Sequence, residues 1–273
     1  MAYTAADVKR LRDETGAPMM ECKQALDEAN GDFEKAKALL REKGVAAAGK
    51  RAGRETNAGV VAIADSKDGK TLGAVVLESE TDFVARNPDF IQVAQKLAEV
   101  FRDNDPGQDP MAVGFEGQTV KDLIEQAIGR IRENIRISKA LQLKSDFPIP
   151  FYVHHDKTKG AIIQGTSDNP EALRKVAIQV VSNPPEVVRK DQLSQEKLDA
   201  EIEIETQRAI NEGKDEKIAR NVAQGRVNKE FVKKAVLLEQ PFYADAAKSV
   251  QQYLQEEAKG AEVKDFVYLA VGT

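Results

Sequence analysis

The stretch NPDFIQVAQKLAEVF, residues 87–101, decides the fold. Asn87 offers a side-chain oxygen to cap a helix, and Pro88 suits the first helical turn, where no amide partner is needed. Phe90, Ala94, Leu97 and Phe101 then fall on one face at helical spacing. Ahead of it stand two β-prone runs, residues 59–64 and 72–77, separated by the turn-rich Asp65-Ser66-Lys67-Asp68-Gly69, which predicts a hairpin. The same order returns in the second half. Residues 151–155 and 161–164 read as a hairpin across Lys157-Thr158-Lys159-Gly160, and Asn169-Pro170-Glu171 opens a helix through Val181. A hairpin followed by an Asn-Pro-acid helix, met twice, predicts an α+β protein with a core of two related subdomains built on antiparallel sheets.

Working outward, the first 44 residues carry three short helical patterns. Thr4 and Asp7 form a capping arrangement, Val8 and Leu11 share a face, and Gly16 supplies a left-handed stop. Pro18 opens a second helix with Met19, Cys22, Leu26 and Ala29 on one side, ended by Asn30-Gly31. Asp32 caps a third, with Phe33, Ala36, Leu39 and Leu40 buried and Gly44 as its end. A small three-helix bundle is expected, followed by a linker or irregular helix over residues 45–56. A further helix is expected over about 120–135. Residues 194–235 are rich in charged helix formers and break at Asn211-Glu212-Gly213, which suggests an antiparallel helical hairpin. Residues 249–258 read as helix and 263–271 as a closing strand. The expected division is 1–54, 55–147 and 148–273, with the hairpin at about 192–235.

Bulk properties narrow the function. The 273 residues hold 40 lysines and arginines against 45 acids, a net charge of -5 that exerts no long-range pull on nucleic acid or anionic membranes. A protein partner fits better. No apolar run reaches the length of a membrane span, and the first residues lack secretory or transit character, so a cytoplasmic protein is expected. The single cysteine, Cys22, has no disulfide partner within the chain.

Sites of chemistry are scarce. Gly69-Lys70-Thr71 ends like a phosphate-binding loop, yet Ala64 stands where that loop needs its first glycine, and no helix is predicted to follow. His154 and His155, adjacent in a predicted strand, would point to opposite faces and not share a metal. Glu201, Glu203 and Glu205 read as a solvated face. Phe83 and Val84 pose a different question. Arg86 precedes the Asn87 cap, so these two residues do not serve as a hydrophobic staple. Sequence physics alone favours their packing under the sheet over an exposed contact. Met19-Met20 likewise cannot both face one narrow core.

Three segments, TAADVKRLRDETGAPMMECKQAL, ETDFVARN and GRVNKEFVKKAVLLEQPF, in that order, resemble the hallmark segments of the bacterial elongation factor Ts family, and the similarity spans nearly the whole chain. The resemblance implies an N-terminal module like a ubiquitin-associated (UBA) domain, two related core subdomains and a projecting helical hairpin. It implies a guanine-nucleotide exchange factor for elongation factor Tu, met both GDP-bound and nucleotide-free, with no cofactor, metal or bond-making chemistry of its own. By similarity, Thr81, Asp82, Phe83 and Val84 intrude beside the partner's magnesium and nucleotide, while Arg12, Met19, Met20 and Lys23 dock on its nucleotide-binding domain. A 2:2 complex is compatible with the resemblance. Two departures stand out. Pro18 replaces a glycine usual before the paired methionines, and Gln179 stands where many relatives carry histidine. The rival readings are a tethering scaffold indifferent to nucleotide and a nucleotide-hydrolysing enzyme built around Gly69-Lys70-Thr71.

Overall fold

The computed structural model describes residues 3–167, 169–258 and 260–273. The chain divides into two compact units. One comprises Met1–Ser66, Thr71–Leu143 and Ala270–Thr273, and the other Lys67–Lys70 and Lys144–Leu269.

The first unit begins with α1 (Ala5–Thr15), α2 (Met19–Glu28) and α3 (Phe33–Arg51). Thr4 and Asp7 cap α1 reciprocally, and Gly16 ends it at φ 68°. Leu11, Cys22, Leu26 and Ala36 are fully buried between the three helices. Helix α3 does not stop at Gly44, as the sequence suggests, but continues to Arg51. The glycine serves packing instead. Gly44 faces Gly129 of α6 (Val120–Ile131), where a Cβ added at Gly129 would lie 3.5 Å from the Gly44 Cα. Two facing glycines let helix backbones approach closely, a use of the residue that resembles a stop signal in sequence. Arg41 of α3 pairs with Asp122 in the first turn of α6. The Thr119 cap, and then Arg41, hold the Asp122 carboxyl down to about 2.

Strands β1 (Ala58–Asp65) and β2 (Thr71–Ser79) form the expected antiparallel hairpin, with Ala58 opposite Ser79. The one-turn α4 (Asp82–Ala85) and then α5 (Pro88–Asp103) follow. Asn87 caps α5 with Pro88 in its first turn, and Phe90, Ala94, Leu97 and Phe101 are fully buried against Val60, Ala62, Val75 and Leu77. Each large side chain so removed from water contributes about 1.5–3 kcal/mol. A small ribbon, β3 (Gly114–Phe115) and β4 (Gln118–Thr119), leads into α6. The sequence extends α6 to Ile135, but it ends at Ile131, where Arg132 turns left-handed at φ 70°. Arginine carries no local stop signal, so neither the end nor the following strand β5 (Ile135–Lys144) was legible. Strand β5 joins the hairpin in the order β1-β2-β5.

The second unit repeats this plan. Strands β6 (Phe151–Val153) and β7 (Lys159–Thr166) pair antiparallel, and α7 (Pro170–Ser182) follows with Asn169 as its cap. After it come α8 (Gln195–Asn211), α9 (Glu216–Arg226), a π-helical turn at Val227–Val232, the three-residue α10 (Lys233–Ala235), the ribbon β8 (Pro241–Phe242) and β9 (Asp245–Ser249), α11 (Val250–Glu257) and β10 (Glu262–Ala270). The sheet order is β10-β7-β6, so in both units the second hairpin strand is central and a later strand flanks it. Leu173, Val176, Ala177 and Val180 of α7 close over Ala161 and Ile163. Phe242 stacks on Tyr253 at 4.1 Å, and burial, with nearby acidic charge, pushes the Tyr253 hydroxyl up to about 12. Helices α8 and α9 pack against each other through Ala209, Ala219 and Ala223, and Arg226 bridges Glu205 and Glu212. The architecture is α+β, with N-terminal helices and antiparallel sheet subdomains. Among the described residues no helix is long and apolar enough to cross a membrane.

One buried charge links distant segments of the first unit. Glu78, 1% exposed, accepts from the Thr56 hydroxyl at 3.2 Å, Arg136 at 2.6 Å and the Gly272 amide at 3.2 Å. Burial opposes its ionisation, but the bonds from Arg136, Gly272 and Ser138 outweigh it and keep its pKa below the ordinary value. A lowered folded-state value means that the stabilisation is present above the unfolded value of about 4.3 and fades as pH falls through the folded one. Glu78→Gln is expected to cost about 1–3 kcal/mol near neutral pH and less towards acid, in urea titrations followed across pH. A penalty unchanged by pH would contradict this role.

Candidate functional site

Helix α4 is a single turn with unusual exposure. The Thr81 side chain caps it, accepting from the Val84 amide at 3.4 Å. Three successive helical residues span about 200°, so Phe83, Val84 and Ala85 cannot all meet the core. Val84 packs against it and Ala85 is buried, whereas Phe83 is 82% exposed. The core packing that sequence physics favours therefore applies to Val84 and not to Phe83. Asp82 pairs with Arg86 at 3.0 Å, with both side chains largely in solvent. Such a pair is worth little in stability, so Asp82 remains available to an incoming group.

The turn rests on a firm base. Glu133 accepts from the Thr81 amide at 3.0 Å and its hydroxyl at 2.6 Å. In return Glu80 accepts from the Asn134 amide at 2.6 Å, and the Ser79 hydroxyl donates to the Thr81 carbonyl at 3.1 Å. An exposed phenyl ring thus stands on backbone bonded to a segment more than fifty residues away.

The second group of residues belongs to α1 and α2. Met19 and Met20, in the first turn of α2, are 42% and 64% exposed, because Cys22, Ala25 and Leu26 occupy its buried face. Arg12, in the last turn of α1, is exposed and pairs with its neighbour Asp13 at 2.9 Å. Lys23 is exposed. Pro18 precedes α2 with φ -57°, an angle its ring prefers, so it enters the helix without distortion.

Other sites offer less. Gly69 takes φ 69° in the β1–β2 turn and Thr71 starts a strand, so no helix follows the Gly-Lys-Thr string. The Lys70 and Thr71 amides are already bonded to Asp68 and Ser66. His154 and His155 lie just beyond β6 and not within it, and their rings meet edge-on at 4.3 Å instead of pointing to opposite faces. Among the described residues no three His, Cys, Asp or Glu side chains gather to hold a metal ion. A cleft of about 300 Å³ beside α6 is lined by Glu21, Arg41, Asp122, Arg130 and Arg132, but Arg41 pairs with Asp122 and Arg132 with Glu21. That pairing leaves no concentrated charge for a phosphate. Gln179 is fully buried. It donates to the Gln240 side chain at 2.8 Å and accepts from the Tyr243 amide at 2.7 Å, while Gln240 binds the Asn183 and Lys234 carbonyls. Its role is to pin the segment around Gln240 to α7. Glu133 is the residue of this region that the sequence reading missed, since a single glutamate fifty-two positions from Thr81 carries no signal.

Phe83, Met19 and Met20 present exposed apolar side chains of the kind that suits contact with another protein. Comparison with known proteins makes this specific. Residues 80–273 match the sequence profile described as Elongation factor TS. Elongation factor Ts of Aquifex aeolicus is 38% identical over 287 residues, covering 100% of this chain and 99% of its own. The protein of the same name from Chloroherpeton thalassium is 40% identical over 94% of this chain and 92% of its own, and that from Amoebophilus asiaticus 39% identical over the whole of both. The chain belongs to the elongation factor Ts family. Members of that family are nucleotide exchange factors that make no bonds of their own.

The exposure pattern separates neighbouring residues by measurement. Phe83→Ala is expected to change stability by no more than about 0.5 kcal/mol, and Val84→Ala to cost about 1 kcal/mol, in urea denaturation. Equal losses would contradict the placement of Phe83. Gln179→Ala, which leaves the buried Gln240 side chain and the part-buried Tyr243 amide without this partner, is expected to cost about 1–3 kcal/mol by the same measurement.

Proposed function

We propose that this chain is the guanine-nucleotide exchange factor of elongation factor Tu, acting in the cytoplasm during translation elongation. It binds the GDP-loaded partner, disturbs its magnesium and nucleotide site through Thr81, Asp82, Phe83 and Val84, and holds the nucleotide-free state until GTP enters. The observation that carries this reading is the phenyl ring of Phe83, 82% exposed on a one-turn helix whose base is hydrogen-bonded to Glu133. A soluble protein gains nothing for its own stability from such a ring. It gains when the ring enters an apolar crevice of a partner.

Magnesium requires near-octahedral oxygen geometry at short distance, so displacing one ligand-bearing segment of the partner by about an ångström weakens its hold and leaves the phosphates less neutralised. Phe83 supplies the displacing bulk, and Asp82 an acceptor that competes for nearby donors. Burial of one phenylalanine supplies roughly 1.5–3 kcal/mol, whereas a 10,000-fold faster release needs about 5.5 kcal/mol. The remainder comes from distant contacts. In this reading residues 1–54 form a UBA-like module that docks through Arg12, Met19, Met20 and Lys23. Residues 55–147 and 148–273 form the two core subdomains, with a projecting hairpin at about 192–235. Exposed methionines with adaptable thioethers suit such a contact. Phe83 and the docking residues bind no nucleotide themselves, and either a 1:1 or a 2:2 assembly is compatible with the mechanism.

Stopped-flow release of labelled GDP from the partner tests the reading. Phe83→Ala is expected to fold as the parent does and to lower the stimulated rate by about 10- to 100-fold. An unchanged rate would reject the wedge. Binding that is indifferent to GDP would favour a tethering scaffold.

A further inference from the structure

We infer that Glu133 is a positioning residue for nucleotide release, the seat on which the Asp82–Phe83 turn is held in its working orientation. The inference rests on the function proposed above and adds to it a residue outside the exposed segment.

The geometry is that of a two-pronged clamp. One carboxylate oxygen of Glu133 takes the Thr81 amide at 3.0 Å and the other its hydroxyl at 2.6 Å. The second bond fixes more than the side chain. A hydroxyl that donates to Glu133 has its lone pairs left for other donors, and the Val84 amide reaches it at 3.4 Å. Glu133 therefore orients the cap, the cap holds the first turn of α4, and that turn aims Phe83. A helix of four residues is far below the length that is stable by itself, so its geometry must come from outside. Ala85 and Arg86 donate their amides back to the Thr81 and Asp82 carbonyls, but these bonds lie within the turn and do not orient it.

Glu133 itself is held. It follows Arg132, whose left-handed φ of 70° reverses the chain after α6. The Arg132 carbonyl accepts from Arg51 Nε of α3 at 3.0 Å, and the next amide, that of Asn134, bonds to Glu80 at 2.6 Å. The Asn134 side chain donates to the Arg54 carbonyl at 2.7 Å. Carboxylate–amide bonds of this kind are stronger than neutral ones, and here they run both ways between residues 80–81 and 133–134. A wedge must not fold back when it meets resistance, because binding energy is converted to displacement only where the pushing group is fixed beforehand. The clamp supplies that fixity without touching the partner's nucleotide.

The test uses the full chain with Glu133→Ala and Glu133→Gln, together with amide hydrogen exchange by NMR and stopped-flow GDP release over a range of factor concentrations. In Glu133→Ala the Thr81 and Val84 amides are expected to exchange at least about tenfold faster, the effect of losing a hydrogen bond to a charged group. The maximal release rate is expected to fall about tenfold, while the half-saturating concentration moves less than about threefold, because the distant docking contacts persist. Glu133→Gln keeps an acceptor oxygen and is expected to restore part of both losses. A purely structural role would lower the urea midpoint without this split between rate and concentration dependence. If Glu133→Ala does not fold, Glu133→Gln alone decides, by an intermediate or an absent effect on the maximal rate. Amide protection unchanged in the variants would overturn the clamp. Faster amide exchange with an unchanged maximal release rate would overturn its positioning role while leaving the proposed function intact. If the parent chain itself fails to accelerate release, the proposed function falls, and the amide exchange still decides whether Glu133 fixes the turn.

Discussion

A single helical turn cannot bury three consecutive side chains against one surface, and much of the functional reading follows from that constraint. Given Val84 and Ala85 on the inner side, Phe83 is forced outward. The turn is too short to hold its shape unaided, so it depends on the carboxylate of Glu133 and the reciprocal bond between Glu80 and Asn134. Exposure and rigidity then arise from the same few residues. Either alone would be ordinary, since flexible loops expose apolar groups and rigid cores conceal them. Together, in the proposed function, they give a side chain fit to do work on a neighbour.

The surrounding scaffold explains how such a turn is held steady. The hairpin of β1 and β2 is covered by α5 through fully buried aromatic and aliphatic side chains, and α4 lies directly between that hairpin and that helix in sequence. Glu78 then gathers Thr56, Arg136 and Gly272, so three segments of the first unit far apart in sequence meet on one carboxylate. Helices α3 and α6 approach through Gly44 and Gly129 and are tied by Arg41 and Asp122. The bundle that carries Met19 and Met20 is thereby packed into the same compact unit as the exposed phenyl ring.

Much of this was legible in the sequence, and the failures have physical reasons. Both hairpins and both Asn-Pro-acid helices were readable because capping and turn chemistry are local. The end of α6 and strand β5 were not, because the reversal falls on Arg132, a residue with no preference for a left-handed backbone. Gly44 misled for the converse reason, being a glycine retained for contact between helices. Phe83 and Val84 look alike in sequence, and only the direction in which the turn faces the sheet distinguishes them. Glu133 and the buried Gln179–Gln240 pair act through partners more than fifty residues away, and such pairing leaves no trace in a single sequence.

The central claim is that the chain and GDP compete for one partner through its metal site, with no overlap of their own chemistry. Thermodynamic linkage then demands that each weaken the other by the same factor. Calorimetric titration of the chain into elongation factor Tu, once nucleotide-free and once loaded with GDP and magnesium, measures that factor directly. The account predicts markedly weaker binding to the loaded form, by the same ratio with which the chain weakens GDP. Equal affinity for the two forms would contradict it.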